Sequence, residues 1–286
     1  MDYNNELKEI DNEQKAYFLG FMFADGCISL KKRKNTLGYI SQISLTDEQI
    51  IMEFKEHFPF FNLQVFDYGK YKKTWSKQFA LRKVNKQLFF DLQSHGMLER
   101  KSGKNSQFLK IPLLSEELIP HFIRGMFDGD GSINIAAKRP NLRRIEICSS
   151  SKDYLLQIKS IFLNHNVDCP IFRKKNNNIS PLYVLEWINS KDIMSLKNFL
   201  YKDATIFLKR KKEKFDSFKI IDAKDENPNC PKCFERKSQK AGKRMMMHGL
   251  MCRYTCMNCN YKFSTPAQLK QDELLESPVR VISSQA

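Results

Sequence analysis

The 286-residue chain has no apolar run that could cross a membrane as a helix: the longest, Ala16 to Ala24, is nine residues, against roughly 18–20 for a span. Its start, Met1-Asp2-Tyr3-Asn4-Asn5, is acidic and polar, the wrong chemistry for a secretory leader. Acid is in short supply, with 32 Asp and Glu against 48 Lys and Arg for a net charge of +16. No folding requirement explains that excess. It calls for a polyanion, nucleic acid first and an anionic membrane second. Cysteine is sparse except in one place, since five of the eight (Cys230, Cys233, Cys252, Cys256, Cys259) crowd near the C-terminus. That clustering argues against a disulfide frame and for a metal site in a reducing compartment. The expectation is a soluble, intracellular protein with no membrane partner, its compartment unspecified.

What the chain does have is a repeat. Residues 16–28, Ala-Tyr-Phe-Leu-Gly-Phe-Met-Phe-Ala-Asp-Gly-Cys-Ile, are matched by residues 121–133, His-Phe-Ile-Arg-Gly-Met-Phe-Asp-Gly-Asp-Gly-Ser-Ile. Each reads as an apolar helix ending in Asp-Gly and leading into a strand. The flanks recur as well. Tyr39 to Thr46 alternates as a strand does and precedes a helix-period stretch from Glu48; Arg144 to Ser151 precedes another from Asp153. Each half continues with a basic, β-rich stretch (Phe66 to Val84; Ile171 to Trp187), a further helix, and an Arg-Lys pair at Arg100-Lys101 or Arg210-Lys211. Two like halves in one chain imply a pseudo-twofold molecule.

Asp25 and Asp130 close their helices against the negative end of the macrodipole, where a cation is more stable. An unfavourable choice made twice points to function. Gly20-x-x-x-Ala24 and Gly125-x-x-x-Gly129 leave one face of each helix nearly bare, so the two helices can pack backbone to backbone. Parallel packing would set both carboxylates side by side. Two adjacent carboxylates need a counter-charge, and a divalent cation with a taste for hard oxygen ligands, Mg²⁺ or similar, supplies it.

These two segments, Phe18-Leu-Gly-Phe-Met-Phe-Ala-Asp-Gly and Ile123-Arg-Gly-Met-Phe-Asp-Gly-Asp-Gly, resemble the paired signature helices of the LAGLIDADG homing endonucleases in their single-chain, two-repeat form. The resemblance covers residues 11–218. It implies an α+β fold of two pseudo-symmetric αββαββα repeats forming a saddle, with antiparallel sheets in the DNA major groove. It also implies metal-dependent cleavage of both strands, with Asp25 and Asp130 as metal-binding acids. The motif's earlier Asp is kept at Asp128 and replaced by Phe23, which bears on packing more than on chemistry. The family uses a lysine in each half near the scissile phosphate, and Lys101 and Lys211 are the positional candidates.

Basic residues run along the expected strands and hairpins: Lys31, Lys32 and Arg33; Lys70, Lys72, Lys73, Lys77 and Arg82; Lys138, Arg139, Arg143 and Arg144; Arg173, Lys174 and Lys175. A single charge run is usually a solvated face. Four runs at repeat-equivalent places favour a groove-binding ribbon. Candidate base readers are Gln42, Ser44, Lys77, Gln78, Arg82, Arg144, Glu146 and Arg173. Cys27, Cys148 and Cys169 are expected to be free core thiols, and His57, His95, His121 and His165 packing or surface residues.

Cys230-Pro-Lys-Cys233 and Cys256-Met-Asn-Cys259 are two C-x₂-C knuckles, four thiolates for a closed Zn²⁺ site. The segment looks like a zinc ribbon, with Phe234 and Asn260 where the knuckles turn, Cys252 a spare thiol, and His248 a polar turn residue. The expected organisation is a first repeat over 11–113, a second over 114–220, a linker over 221–229, the ribbon over 230–264 and a tail over 265–286. The function expected is a site-specific double-strand DNA endonuclease promoting intron or gene mobility, monomeric, with Mg²⁺ and Zn²⁺ as its metals. The alternatives are an intron-RNA maturase and a non-cutting DNA-binding regulator. An intein is not expected, because the chain opens on Met1 and closes on Ser284-Gln285-Ala286.

Overall fold

The computed structural model describes residues 2–33, 36–68, 76–101, 103–136, 139–174, 181–218, 228, 230–234, 238–246 and 249–266. The chain divides at Ile220/Ile221 into two compact units. In the first, α1 (Glu13–Ala24), β1 (Gly26–Arg33), β2 (Thr36–Leu45), α2 (Glu48–His57), β3 (Asn62–Asp67), β4 (Lys77–Val84) and α3 (Lys86–Ser94) make one half. The second half is α4 (Ile119–Asp130), β5 (Ser132–Ala136), β6 (Arg139–Ser149), α5 (Lys152–Asn164), β7 (Ile171–Lys174), β8 (Leu182–Trp187) and α6 (Ser190–Tyr201), followed by α7 (Lys209–Asp216). The order αββαββα therefore occurs twice. Each half folds its strands into an antiparallel sheet of the same topology, β1-β2-β4-β3 and β5-β6-β8-β7.

Local chemistry explains the elements. Asn12 caps α1 by accepting from the Lys15 amide, and from Ala16 to Ala24 the helix is buried on every side, as an all-apolar helix must be. The amphipathic α2 and α5 bury one stripe each, Ile50, Ile51 and Phe54 in one case and Tyr154, Leu155, Ile158 and Phe162 in the other. Between α2 and β3, Phe58, Phe60 and Phe61 are buried and pack in tilted and edge-to-face arrangements among themselves and against Phe18. β3 starts at Asn62 rather than near Phe66, because its burial does not alternate and hides it from pattern reading.

The helices cover one face of each sheet. Ile28, Ile43 and Leu81 point inward on the first, and Ile145, Ile147 and Leu185 on the second. Since strand side chains alternate, the other face of each sheet is open. Cys27 falls on that open face and is exposed, and Cys148 is half-buried, so of the three expected core thiols only Cys169 is fully buried. The reason is register: Ile28, next to Cys27, takes the inward position.

The second unit is a three-stranded antiparallel sheet, β9 (Ser238–Met246), β10 (Gly249–Cys256) and β11 (Lys262–Pro266), in the order β11-β10-β9. No helix among the described residues is long and apolar enough to cross a membrane.

Candidate metal centre and nucleic-acid interface

Helices α1 and α4 meet where each has a glycine. A Cβ placed on Gly20 would lie 2.0 Å from the Phe122 carbonyl oxygen, and one on Gly125 would lie 2.0 Å from that of Tyr17. Nearer the helix ends, a Cβ on Gly129 would come within 2.3 Å of the Ala24 Cβ and 2.8 Å of Asp25 Oδ2. Contact thus runs from Gly20/Gly125 to Ala24/Gly129, which makes the helices parallel and sets the Asp25 carboxylate against the last turn of α4. Solvent reaches both Asp25 and Asp130, yet the surrounding protein desolvates them. Burial raises both carboxyls above the usual range; Asp130 raises Asp25 further, while Lys101 and Lys211 pull both back down.

The two lysines occupy equivalent places. Lys101 Nζ donates to the carbonyls of Met22 (2.8 Å), Ala24 (2.6 Å) and Gly26 (2.6 Å). Lys211 Nζ donates to those of Phe127 (2.7 Å), Gly129 (3.2 Å) and Gly131 (2.5 Å). Each ammonium spends its three donors on carbonyls of the last helical turn and of the glycine just beyond it and brings the cation that the macrodipole asks for there. Lys101 arrives on the turn after α3, and Lys211 on α7. Burial lowers both to about 8, against the opposing pull of Asp130 and Asp25 on Lys101 and, chiefly, of Asp128 on Lys211.

Asp128 stands apart from this pair. It is fully buried and accepts from Tyr17 Oη (2.8 Å), Tyr201 Oη (2.5 Å) and the Leu208 amide (2.8 Å). Its counterpart Phe23 is also buried and packs edge-to-face on Phe122 at 5.1 Å. One turn before Asp128, Arg124 is 1% exposed and donates to Glu13 (2.6 Å) and to the Leu200 and Ile206 carbonyls. Glu13 also accepts from the backbone and hydroxyl of Thr205. His121 lies 2.8 Å from Arg124, so it joins this clasp between the halves rather than being an isolated packing residue. Sequence reading missed the clasp because its members occur once and lie far apart in the chain.

The strand pairing sorts the expected contact residues. On the open face of the first sheet, Lys31, Gln42, Ser44, Gln78 and Arg82 share a side with Ser29, Asn62 and Gln64. Lys31 and Arg82 line a hollow of about 320 Å³ with Thr36, Leu37, Gly38, Ile40 and Val84, and the buried Arg82 Nε has no hydrogen-bond partner. The open face of the second sheet carries Arg144, Glu146 and Lys174, together with Asn134 and Glu186. Here the cations are engaged: Arg144 pairs with Glu186 at 2.9 Å and Lys174 with Glu146 at 3.1 Å. Lys32, Lys77, Arg143 and Arg173 alternate to the helix-covered side, where Arg143 sits 4.4 Å over the Phe218 ring. Lys70, Lys72, Lys73, Lys138, Lys175 and His248 lie outside the described residues, as do the side chains of Arg33 and Arg139.

In the second unit, the sulfurs of Cys230, Cys233, Cys256 and Cys259 lie within 4.8 Å of one another, with 3.6 Å between Cys230 and Cys259 and 3.5 Å between Cys233 and Cys256. Tetrahedral Zn–S bonds of about 2.3 Å put sulfurs roughly 3.8 Å apart, so the four thiols fit zinc. Cys252 is buried and stays outside the cluster. The knuckles close alike. Phe234 (φ 59°) donates its amide to the Cys230 carbonyl and Asn260 (φ 57°) to that of Cys256, both in the left-handed region.

The sequence profile of the LAGLIDADG-like domain matches residues 117–200. A curated relative, the probable translation initiation factor IF-2 of Methanocaldococcus jannaschii, is 27% identical over 226 residues, covering 77% of this chain and 17% of that protein. The chain thus spans under a fifth of that relative's length. Among solved structures, the chain is similar to I-DmoI in complex with DNA and Ca (18% identity, TM-score 0.46, 66% of this chain and 88% of that one). It is also similar to the LAGLIDADG meganuclease I-AabMI bound to uncleaved DNA (13%, 0.48, 72% and 88%). A third is the LAGLIDADG homing endonuclease I-GzeII in complex with its DNA target (14%, 0.47, 72% and 88%).

Proposed function

We propose that this chain, which carries a LAGLIDADG-like domain over residues 117–200, is a site-specific DNA endonuclease that cuts both strands and so promotes the spread of its own intron or gene. One observation carries the reading. Two carboxylates, from helices that only glycine allows to touch, are brought to one place with a cation behind each. Burial raises the proton affinity of both acids, and Asp130 adds to the rise at Asp25; a divalent cation relieves that cost, and their hard oxygens fit Mg²⁺. When bound, such an ion supplies Lewis acidity and a water of lowered pKa for phosphodiester hydrolysis.

The chain's own residues do the rest. Asp25 and Asp130 hold the cation, while Lys101 and Lys211 fix the helix ends that carry the acids and keep positive charge beside the phosphate. The open sheet faces supply the contacts to a duplex, with Lys31 and Arg82 on one and Arg144 and Lys174 on the other. The four-cysteine site holds Zn²⁺ as a structural ion, since so small a unit has little core of its own.

The test is selection of cut sequences from a randomised duplex library by the purified chain with Mg²⁺. Recovery of a defined site is expected, and a library left uncut would sink the endonuclease reading. Intron splicing by the chain, without cutting, would instead place it as a maturase.

A further inference from the structure

The zinc-binding unit has a feature that the cleavage reading does not use. Register sorts its sheet into two faces. One carries Cys252, Tyr254 and Cys256 of β10 with Phe263 of β11, Tyr254 and Phe263 lying 5.5 Å apart, and the exposed Lys240 and Lys243 of β9 at its edge. The opposite face carries Arg244 on β9, Arg253 and Thr255 on β10, and Lys262 and Ser264 on β11. Arg244, Arg253, Lys262 and Ser264 are all exposed. Arg244 is level with Met251, Arg253 with Ser264, and Lys262 with Thr255. The three cations therefore step diagonally, one strand across and two residues along at each step, or about 8 Å from strand spacing and rise. No acid occurs among the described residues of this unit, and Glu235 is the one acid in the sequence between Cys230 and Pro266.

We infer that this face of the ribbon is a second DNA contact surface, binding the phosphate backbone of a duplex without reading its sequence. A line of evenly spaced cations suits a polyanion whose charges repeat regularly, and the hydroxyls of Thr255 and Ser264 between them are donors to phosphate oxygens. An acidic protein patch is the weaker fit. The fully buried core of a protein interface is usually depleted of charge and enriched in aromatics, and Tyr254 and Phe263 lie on the other face with Tyr261 stacked on Phe263.

The inference does not depend on cleavage. The test is binding of the full-length zinc-loaded chain to a random-sequence duplex, followed by fluorescence anisotropy from 50 to 300 mM salt, with zinc content measured on every sample. Replacing Arg244, Arg253 and Lys262 together by Gln is expected to lower the slope of log K against log salt by about 2–3, near 0.9 for each phosphate no longer neutralised, with zinc retained. Lys240→Gln with Lys243→Gln, on the other face, is expected to change it by less than half as much per charge. An unchanged slope in the triple variant with zinc retained, or an equal effect per charge from the Lys240/Lys243 pair, would overturn the inference. A zinc-depleted triple variant would be replaced by the three single variants, read by the same criterion. A chain that binds in this way yet never cuts would support this surface and sink the endonuclease reading alone.

Discussion

The two halves of the first unit are alike at the backbone and unlike at the side chains. Each has a glycine at the helix crossing, an Asp at the helix end, and a lysine closing three equivalent carbonyls. Their open sheet faces diverge. The first presents Lys31 and Arg82 among amides and hydroxyls with no acid on that face among the described residues, while the second sets each cation against a buried glutamate. The helix interiors diverge too, with Phe23 and Leu19 in one half answered by Asp128 and Arg124 in the other. What holds the acids is thus doubled, whereas the open sheet faces are specific to each half. Under the proposed endonuclease function, a symmetric centre on an asymmetric surface would suit a target site without a palindrome.

The comparison can be broken first at the crossing. Gly20→Val and Gly125→Val each drive a side chain into backbone at 2.0 Å, and each is expected to cost on the order of 4–5 kcal/mol or prevent folding. Denaturant melts of the two variants should agree, and a large difference would mean that the crossing is not equivalent in the two halves. Next comes the clasp. Glu13→Gln leaves Arg124 buried without its charge partner, with an expected cost of about 3 kcal/mol. Leu19, the repeat counterpart of Arg124, has no such dependence, so Glu13→Gln paired with Arg124→Leu should recover much of the loss in a double-mutant cycle.

On the sheets, Glu146→Gln with Glu186→Gln frees two cations of the second half. Affinity for a duplex is expected to rise and the salt slope to steepen by up to about 2. No change would mean that Arg144 and Lys174 do not face the duplex. At the helix ends the equivalence of the lysines has a pH signature. Both sit at about 8 in the folded chain against an ordinary 10.5, so the unfolded chain binds more protons between those values and stability from this source rises with pH. It is fully present above the ordinary value and lost as pH falls through 8. Urea midpoints from about pH 8 to 9.5 should show that rise in the wild type, roughly half of it in Lys101→Met or Lys211→Met, and none in the double variant. The smallest effect compares the two knuckles. Phe234 is 78% exposed in a left-handed conformation that only Gly adopts freely, so Phe234→Gly should stabilise the ribbon by about 1 kcal/mol, read as slower zinc loss to a chelator. Asn260→Gly should do less.

What could be read from sequence follows the same division. The Asp-Gly ends, the paired glycines and the Arg-Lys pairs were legible because each is local and appears twice. The contacts of Glu13 with Arg124 and of Tyr17 with Asp128 were not, since nothing in a single copy says that residues 111 positions apart will meet in a core. The contact faces were legible only as runs. Lys31 and Lys32 are neighbours in sequence and opposite in the sheet, and a shift of one residue exchanges them; only the pairing of β1 with β2 assigns them. Arg144 and Lys174 were visible as cations, but the glutamates that hold them come from strands whose register had to be known.

The most direct test of the paired acids is strand-resolved cleavage of a selected target by the wild type, Asp25→Asn and Asp130→Asn, with Mg²⁺ and with duplex binding measured in parallel. The expected result is that either substitution abolishes double-strand cutting while binding is retained. Undiminished cutting by either variant would contradict the assignment of Asp25 and Asp130 to one metal centre.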